Sequence, residues 1–280
     1  MEKKKTLFNA TMFILLIVLS AVFLFPIILV IINSFKSKFN IMSAPFSFPT
    51  SETFSGFENY INGVKTSNFL SAFSLSVFIT VLSVLAIILF TSMTAWYLTR
   101  VKSVISKVIY YAFVFSMIVP FQMVMYTMTY VVNAIKFNNP IGIIFVYLGF
   151  GAGLSIFMLC GFVKSVPIDI EEAATIDGCN PLQTFFKVVF PILKPTLITV
   201  AILNAMWIWN DYLLPYLILG TTKYKTIPVA IQIAMQGAYG SIDWGGFMAM
   251  LVLAIIPIII FYLFSQKYII KGVISGAVKG

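Results

Sequence analysis

The sequence contains no histidine, only two cysteines and few charged residues among its 280 positions. The lack of histidine excludes histidine metal ligands, histidine general bases and histidine proton relays. Cys160 and Cys179 lie 19 residues apart, which fits neither a disulfide framework nor a metal cluster, so we expect two reduced thiols. A phosphate-binding loop of the pattern G-x-x-x-x-G-K-[ST] is also missing, so any ATP hydrolysis must come from another polypeptide.

Charge is scarce and apolar residues are abundant. Charged residues make up 10% of the chain, apolar residues make up 60%, and the mean hydropathy is +1.02. Soluble domains carry about 25% charged residues. There are too few charges here to cover the surface of a domain in water, so the composition predicts an integral membrane protein.

Six apolar stretches are long enough to cross a bilayer, since a spanning helix needs about 20 mostly apolar residues. We therefore predict an all-α, polytopic membrane protein that forms a single transmembrane domain over 1–280, ending in a tail over 266–280. No internal repeat is evident, which disfavours an inverted-repeat secondary transporter. The predicted spans are 10–33, 71–98, 108–132, 141–163, 196–219 and 245–265.

The distribution of basic residues predicts the orientation. The chain has 18 basic and 9 acidic residues, for a net charge of +9. With the N-terminus in the cytoplasm, twelve basic residues lie inside and six outside, as the resistance of basic loops to translocation requires. Both termini are then cytoplasmic. The first span, which follows Lys3, Lys4 and Lys5, is interpreted as an uncleaved anchor.

Residues 164–195 form the only long cytoplasmic loop in this arrangement. Pro167 suits the first turn of a short helix, and Gly178 suits a left-handed end to that helix. The alternative to a helical loop with a specific role is a simple re-entry loop whose charged side chains only keep it solvated. The loop holds four of the nine acidic residues, namely Asp169, Glu171, Glu172 and Asp177.

A second short helix is predicted over 182–190. Asn180 is suited to cap its start, and Pro181 is suited to its first position. Pro191 and Pro195 are expected to end this helix before the fifth span begins at 196. Two short helices at an angle would make a compact knob that projects from the bilayer.

Seven loop residues keep a characteristic spacing, and they are Glu172, Ala173, Ala174, Gly178, Val188, Phe190 and Pro191. This spacing resembles the EAA loop of permease subunits of bacterial ABC importers, which reads Glu-Ala-Ala, three residues, Gly, nine residues, Ile-x-Leu-Pro. Val188 and Phe190 replace the usual Ile and Leu, which are apolar changes. In that family the loop is a coupling helix that seats in a cleft of a separate ATPase subunit.

The resemblance implies roles for individual residues. Glu172 is expected to contact the ATPase, Ala173 and Ala174 to allow close approach, and Gly178 to make the turn. A knob held rigidly between two spans could transmit movement without chemistry of its own. The full predicted coupling set is Glu171, Glu172, Ala173, Ala174, Asp177, Gly178 and Pro191.

Further resemblance narrows the family to carbohydrate importers of the maltose-permease type. Residues 209–215, 120–122 and 276–280 look like the second, six-span permease of that group. This implies a heterodimer with a homologous permease, two ATPase subunits that use ATP and Mg, and a lipid-anchored (extracellular) or periplasmic sugar-binding protein. It also implies a bacterial inner or cytoplasmic membrane, contact with membrane lipid, and no cofactor, metal or nucleic acid bound by this chain. The tail from Gln266 would reach the ATPase pair, although its lysines equally suit lipid headgroups.

Polar residues inside the predicted spans are candidates for a translocation path, namely Gln122, Tyr126, Asn204, Trp207, Asn210 and Asp211. Gln122, Tyr126 and Thr129 share one helical face, which suits either a path or hydrogen bonds between helices. In the fifth span, amides and a carboxylate could bind sugar hydroxyls while Trp207 or Trp209 stacks on a pyranose. Alternatively, Asn210 or Asp211 caps a helix interrupted ahead of Pro215.

These observations predict a non-catalytic membrane subunit of an ATP-driven sugar importer. The chain would form half of the translocation path and work by alternating access, and family grounds favour an oligosaccharide as cargo. One alternative is an ion-coupled secondary transporter that uses Asp211 as its titrating carboxylate. Another is an ABC importer permease for a different solute, such as amino acids or phosphate.

Overall fold

The computed structural model of the chain describes residues 2–235 and 242–277. Every regular element within these ranges is a helix, and Lys36 and Phe54 form an isolated antiparallel bridge. The predicted all-α class is therefore confirmed for this part of the chain. Cys160 and Cys179 are both free.

Thirteen α-helices and one π-helical turn follow one another in the described residues. They are α1 (Glu2–Ser34), α2 (Lys38–Ser43), α3 (Glu58–Ser67), α4 (Phe69–Arg100), α5 (Val104–Ser116), α6 (Phe121–Ala134), α7 (Gly142–Val163), α8 (Asp169–Ile176), α9 (Pro181–Thr184), the π-turn (Phe185–Val189), α10 (Phe190–Asn210), α11 (Leu213–Leu219), α12 (Ile227–Met235) and α13 (Trp244–Ala277).

Five helical segments of the described chain are long and apolar enough to cross a membrane, and a bent pair of helices makes up to six. Helices α1, α4 and α13 contain the predicted first, second and sixth spans, and α7 covers the predicted fourth span except for its first residue. Helix α13 also continues through the predicted tail to Ala277, while residues 278–280 lie outside the described residues.

The prediction of one continuous third span over 108–132 is wrong. Helix α5 ends at Ser116, α6 begins at Phe121, and the two are bent by 107°. Pro120 explains the break, because proline offers no backbone N–H and disfavours helical geometry in the residue before it. Its own backbone is extended, at φ −61° and ψ 135°.

The prediction that Pro191 and Pro195 separate the second loop helix from the fifth span is also wrong. Helix α9, the π-turn and α10 form one helical segment, so that 181–210 is a single candidate span. The π-turn widens the helix immediately before Pro191, which lies in the first turn of α10. This widening accommodates the proline ring and the backbone hydrogen bond that proline cannot donate. Pro195 lies inside α10.

The fifth span also ends earlier than the predicted 219. Helix α10 stops at Asn210, and Asp211 has extended backbone geometry at φ −75° and ψ 122°. The separate helix α11 follows. The interruption lies four residues before Pro215. One alternative in the sequence analysis was a capped break at this place.

The chain divides into two compact units, and the expectation of a single domain over 1–280 stays a prediction. The first unit is Met1–Leu70 with Ala230–Pro257. Phe35 is its aromatic centre, with ring centroids 5.9 Å from Phe54, 5.8 Å from Phe57 and 5.3 Å from Tyr60. Beside it, fully buried Lys36 donates from Nζ to the carbonyl of Ala44 at 2.9 Å. The segment after α1 is thus an ordered cap.

The second unit is Ser71–Val229 with Ile258–Gly280, and α7 lies at its centre. Gly151 of α7 is buried where a β-carbon would lie only 2.7 Å from both Oδ1 of Asn204 on α10 and Cδ1 of Ile87 on α4. Helices α4 and α10 therefore pack on α7 at a distance that a larger residue would not allow.

Candidate functional site

The loop between α7 and α10 carries its own local folding signals. Acidic residues fill the first turn of α8, where the helix dipole favours them. Gly178 has φ +83°, a left-handed geometry that glycine adopts without a β-carbon clash. Asn180 then caps α9 through a reciprocal pair of 2.9 Å bonds with Gln183, backbone N–H to side-chain oxygen in each direction. The predicted left-handed turn and cap are both confirmed.

Glu171 fixes α8 to the end of α4. Arg100 donates to Oε1 of Glu171 from Nε at 2.9 Å and from Nη2 at 2.7 Å, and Trp96 donates from Nε1 to Oε2 at 2.8 Å. Nη2 of Arg100 also donates to the carbonyl of Val166 at 2.9 Å. The carboxylate is buried, as it belongs to a residue with 8% exposure. Its acceptor sites are thus used inside the chain.

The opposite face of α8 is open. Glu172, Ala173 and Ile176 are exposed, and Ile176 keeps 85% of its surface. Ala174 faces inward with 7% exposure. Asp177 and Gly178 at the end of α8 are exposed, as is Pro191 at the start of α10. An apolar, small-residue face of this kind, rimmed by a carboxylate, is a surface that another protein could cover.

Gln122 and Tyr126 lie on an exposed face of α6. Tyr126 retains 75% of its surface and Tyr130, one turn further on, retains 76%. The sequence analysis missed Tyr130, although its spacing of four from Tyr126 continues the same face. Thr129, the third member of the predicted stripe, donates its hydroxyl to the carbonyl of Met125 at 2.7 Å. The stripe is therefore an aromatic and amide surface on one helix.

The polar residues of α10 fall into two groups. Trp207 and Asn210 are exposed, and Trp207 meets the ring of Tyr147 edge-on at 5.4 Å. Asn204 is buried, and its Nδ2 donates to the hydroxyl of Ser155 on α7 at 3.2 Å and to the carbonyl of Val200 at 2.8 Å. Its amide therefore connects α10 to α7 in the packed interior.

Asp211 caps the helix that follows it. Its Oδ1 accepts hydrogen bonds from the backbone N–H groups of Leu213 at 3.0 Å and Leu214 at 3.4 Å, and its Oδ2 accepts one from the hydroxyl of Tyr147 at 3.1 Å. The capping alternative from the sequence is confirmed. Tyr147, which links Asp211 to Trp207, was missed because a fully buried tyrosine in an apolar run carries no distinguishing pattern.

A protein family described as "binding-protein-dependent transport system inner membrane component" matches residues 87–275, which include α8 and the Arg100–Glu171 pair. The chain belongs to this family. It is a multi-pass membrane protein and a transport permease, as the sequence predicted. Within residues 2–235 and 242–277, no group of three or more His, Cys, Asp or Glu residues is placed to hold a metal ion.

Two sugar-transport permeases align with nearly the whole chain. One is the "probable starch degradation products transport system permease protein AmyC" of Thermoanaerobacterium thermosulfurigenes, which is 39% identical over 94% of each chain. Another is the "multiple sugar-binding transport system permease protein MsmG" of Streptococcus mutans, which is 35% identical over the full length of both chains. The resemblance to carbohydrate ABC-importer permeases is confirmed.

A solved structure shares the fold of this permease. It is the crystal structure of a bacterial ABC transporter involved in the import of the acidic polysaccharide alginate. The matching chain superposes with a TM-score of 0.76 over 95% of this chain and 97% of its own length, at 24% identity. This permease therefore has the same fold as that chain.

Proposed function

We propose that this permease is one of two membrane subunits of an ATP-driven importer of sugars, with an oligosaccharide as cargo. The family match and the sugar systems named for its relatives support this proposal. ATP and Mg are used by a separate ATPase pair, and a sugar-binding protein delivers the cargo from outside. A homologous second permease supplies the other half of the path.

The observation that carries the coupling proposal is the contrast between neighbouring residues of α8. Glu171 is bound inside the chain by Arg100, whereas Glu172 and Ala173 are exposed beside it. One face of the helix is therefore anchored to α4, and the other is free to seat in the ATPase. Glu171 acts as a positioning residue, and Glu172, Ala173, Asp177 and Gly178 make the docking surface.

The proposed orientation puts this loop in the cytoplasm. The Arg100–Glu171 pair keeps the end of α4 beside the loop. Lys102, Lys107 and Lys164 lie close to the same helix ends in the sequence, which accords with the preference of basic residues for the cytoplasmic side. Both termini are then cytoplasmic. In the alternating-access cycle, closure of the ATPase pair moves α8, and the spans attached to it tilt.

The proposed translocation path uses the exposed side chains rather than the buried ones. Gln122, Tyr126, Trp207 and Asn210 offer amides and aromatic rings, a combination that can bind sugar hydroxyls and stack on a pyranose face. Asn204 and Asp211 support the path indirectly, because each uses its polar atoms to fix a helix end or a helix pair.

Site-specific crosslinking tests the coupling proposal. Ala173→Cys and Ala174→Cys are introduced separately into a Cys179→Ser background. Membranes that contain the whole transporter are treated with a short reagent that reacts with the thiol at one end and, on illumination, with any neighbouring C–H or N–H bond at the other. We expect the Ala173→Cys variant to be captured by the ATPase subunit, because position 173 is exposed. The adjacent position 174 is buried, so Ala174→Cys serves as the matched control. Equal crosslinking of the two variants, or none with Ala173→Cys, would contradict the proposal.

A substitution at Gly178 tests the same coupling by function. At φ +83° an L-residue is strained by about 1–2 kcal/mol, and no atom lies within 4 Å of the β-carbon position. Gly178→Val is therefore expected to insert normally yet to lose sugar uptake and binding-protein-stimulated ATP hydrolysis, because the docking surface is displaced. Gly178→Asn, which tolerates left-handed geometry better, should retain part of both. Wild-type transport by Gly178→Val would oppose the proposal.

A further inference from the structure

A cavity of about 500 Å³ lies where α4 ends, α5 begins and α7 ends, within the second unit of the chain. None of the residues discussed above for coupling or for the path lines it. We infer that this cavity binds the headgroup of an anionic phospholipid. This inference does not depend on transport or on the identity of the sugar.

Positive charge surrounds the cavity. Lys102 lies in the turn after α4, Lys107 in the first turns of α5, and Lys164 immediately after α7. All three lysines are exposed, and none of the described residues that line the cavity is acidic. Three lysines from three separate segments line the cavity, and their charges favour the binding of a phosphate group. Each lysine close to an anionic lipid surface strengthens binding about fivefold.

Aromatic and hydroxyl groups order the cavity wall. Nζ of Lys164 lies 5.5 Å from the ring centroid of the half-buried Tyr110, and both residues line the cavity. The hydroxyls of Ser103 and Ser106 bond to each other at 2.9 Å at the start of α5. Tyr111 completes the wall and is exposed. Tyrosines of this kind prefer the headgroup region, where one end is apolar and the other is hydrated.

An apolar stripe leads away from the cavity along α5. Val104, Val108, Tyr111 and Phe115 follow one another at spacings of four, three and four, and all are exposed. The stripe covers 11 residues of rise, or roughly 16 Å. A phospholipid bound by its phosphate would lay its acyl chains along this stripe. Free phosphate has no apolar part that could contact the stripe, so the combination of lysines and stripe favours a lipid.

Native mass spectrometry of the purified full-length chain tests this inference. The chain is titrated with phosphatidylglycerol, with phosphatidylcholine of the same acyl chains, and with inorganic phosphate. We expect a preference for phosphatidylglycerol over phosphatidylcholine on the order of 100-fold, from three lysines at about fivefold each. The triple variant Lys102→Gln, Lys107→Gln, Lys164→Gln is expected to lose the preference, and Lys164→Gln alone to lower it about fivefold.

Two control variants separate the cavity from general effects. The Lys102→Arg, Lys107→Arg, Lys164→Arg variant keeps the charge and should keep the preference, which guards against a fold defect. The second control removes the same charge at Lys136, Lys223 and Lys225, which lie outside the cavity, and should bind like the wild type. An unchanged preference in the triple glutamine variant would overturn the inference. Binding of inorganic phosphate without a preference for phosphatidylglycerol would also overturn it, in favour of a free-anion site.

Discussion

Removal of the Glu171 carboxylate is expected to free α8 from α4. In Glu171→Ala, the Arg100 guanidinium loses two hydrogen bonds of 2.7 and 2.9 Å, and the Trp96 indole N–H loses one of 2.8 Å. Breaking a buried ion pair by deleting one partner costs about 3–5 kcal/mol, because the remaining charge is left uncompensated. The two side chains keep 19% and 10% of their surface, so water relieves part of this. We expect the lower end, about 3 kcal/mol.

The neighbouring residue provides the control. Glu172 has the same chemistry and lies in the same helical turn, but it is exposed, so Glu172→Ala should change the free energy of unfolding by no more than about 0.5 kcal/mol. Chemical denaturation in detergent micelles measures both variants. Transport assays on the assembled importer should then separate two effects: Glu171→Ala keeps ATP hydrolysis but couples it poorly to uptake, whereas Glu172→Ala weakens the ATPase contact itself.

A double-mutant cycle decides whether the pair itself is responsible. Arg100→Ala together with Glu171→Ala removes both charges, so neither is orphaned, and the double variant should be more stable than the sum of the single losses implies. Coupling between residues in contact is about 0.5–3 kcal/mol, and we expect a value in the upper half of that range. Additive losses, or a Glu171→Ala variant as stable as Glu172→Ala, would refute the proposed anchoring of α8.

Three further predictions follow from particular contacts. Gly151→Ala should destabilise the chain by about 1–3 kcal/mol, because the new β-carbon would lie 2.7 Å from Asn204. Gly149→Ala should be neutral or stabilising, because no atom lies within 4 Å of its β-carbon position. Chemical denaturation in micelles compares the two variants. Asp211→Ala should cost about 1 kcal/mol as a lost cap, and Asp211→Asn, which retains an acceptor oxygen, should keep ATP-driven sugar uptake in vesicles, whereas a transporter that titrates this carboxylate would stop. Burial lowers the pKa of Lys36 below its ordinary value. Between the folded and unfolded pKa values the unfolded chain binds more protons, so the free energy of unfolding should rise with pH in that alkaline window. Melting curves of Lys36→Met should lose this rise, and a rise that persists in the variant would refute the prediction.

Local signals in the sequence predicted the first loop helix and the start of the second. Gly178 and Asn180 act through their own backbone and side-chain geometry, so their roles are legible from residue type alone. The long apolar helices α1, α4, α7 and α13 were predictable for a similar reason, because length and hydropathy suffice to define a span. Features that depend on one element or one residue are therefore the ones that the sequence revealed.

Features that depend on partners far away in the sequence could not be predicted from the sequence alone. Glu171 and Glu172 are identical in chemistry and adjacent in sequence, and only the positions of Arg100 and Trp96, more than 70 residues earlier, decide which of them is bound inside. The break in the apolar run 108–132 has a different origin, because Pro120 is a local signal that a span assignment based on hydropathy passes over. Hydropathy measures solvent preference, and it does not register a change of direction between two apolar helices.

The π-turn before Pro191 changes how the coupling loop would act. The prolines predicted that the second loop helix ends before the fifth span begins, and such a break would leave the loop and the span as separate helices. Instead, the helix runs without interruption from Pro181 to Asn210. With α8 tied to α4 through Glu171, the loop is attached rigidly at two places, to the end of α4 and to the start of α10. In the proposed alternating-access cycle, a displacement of the docking surface would therefore move two spans together.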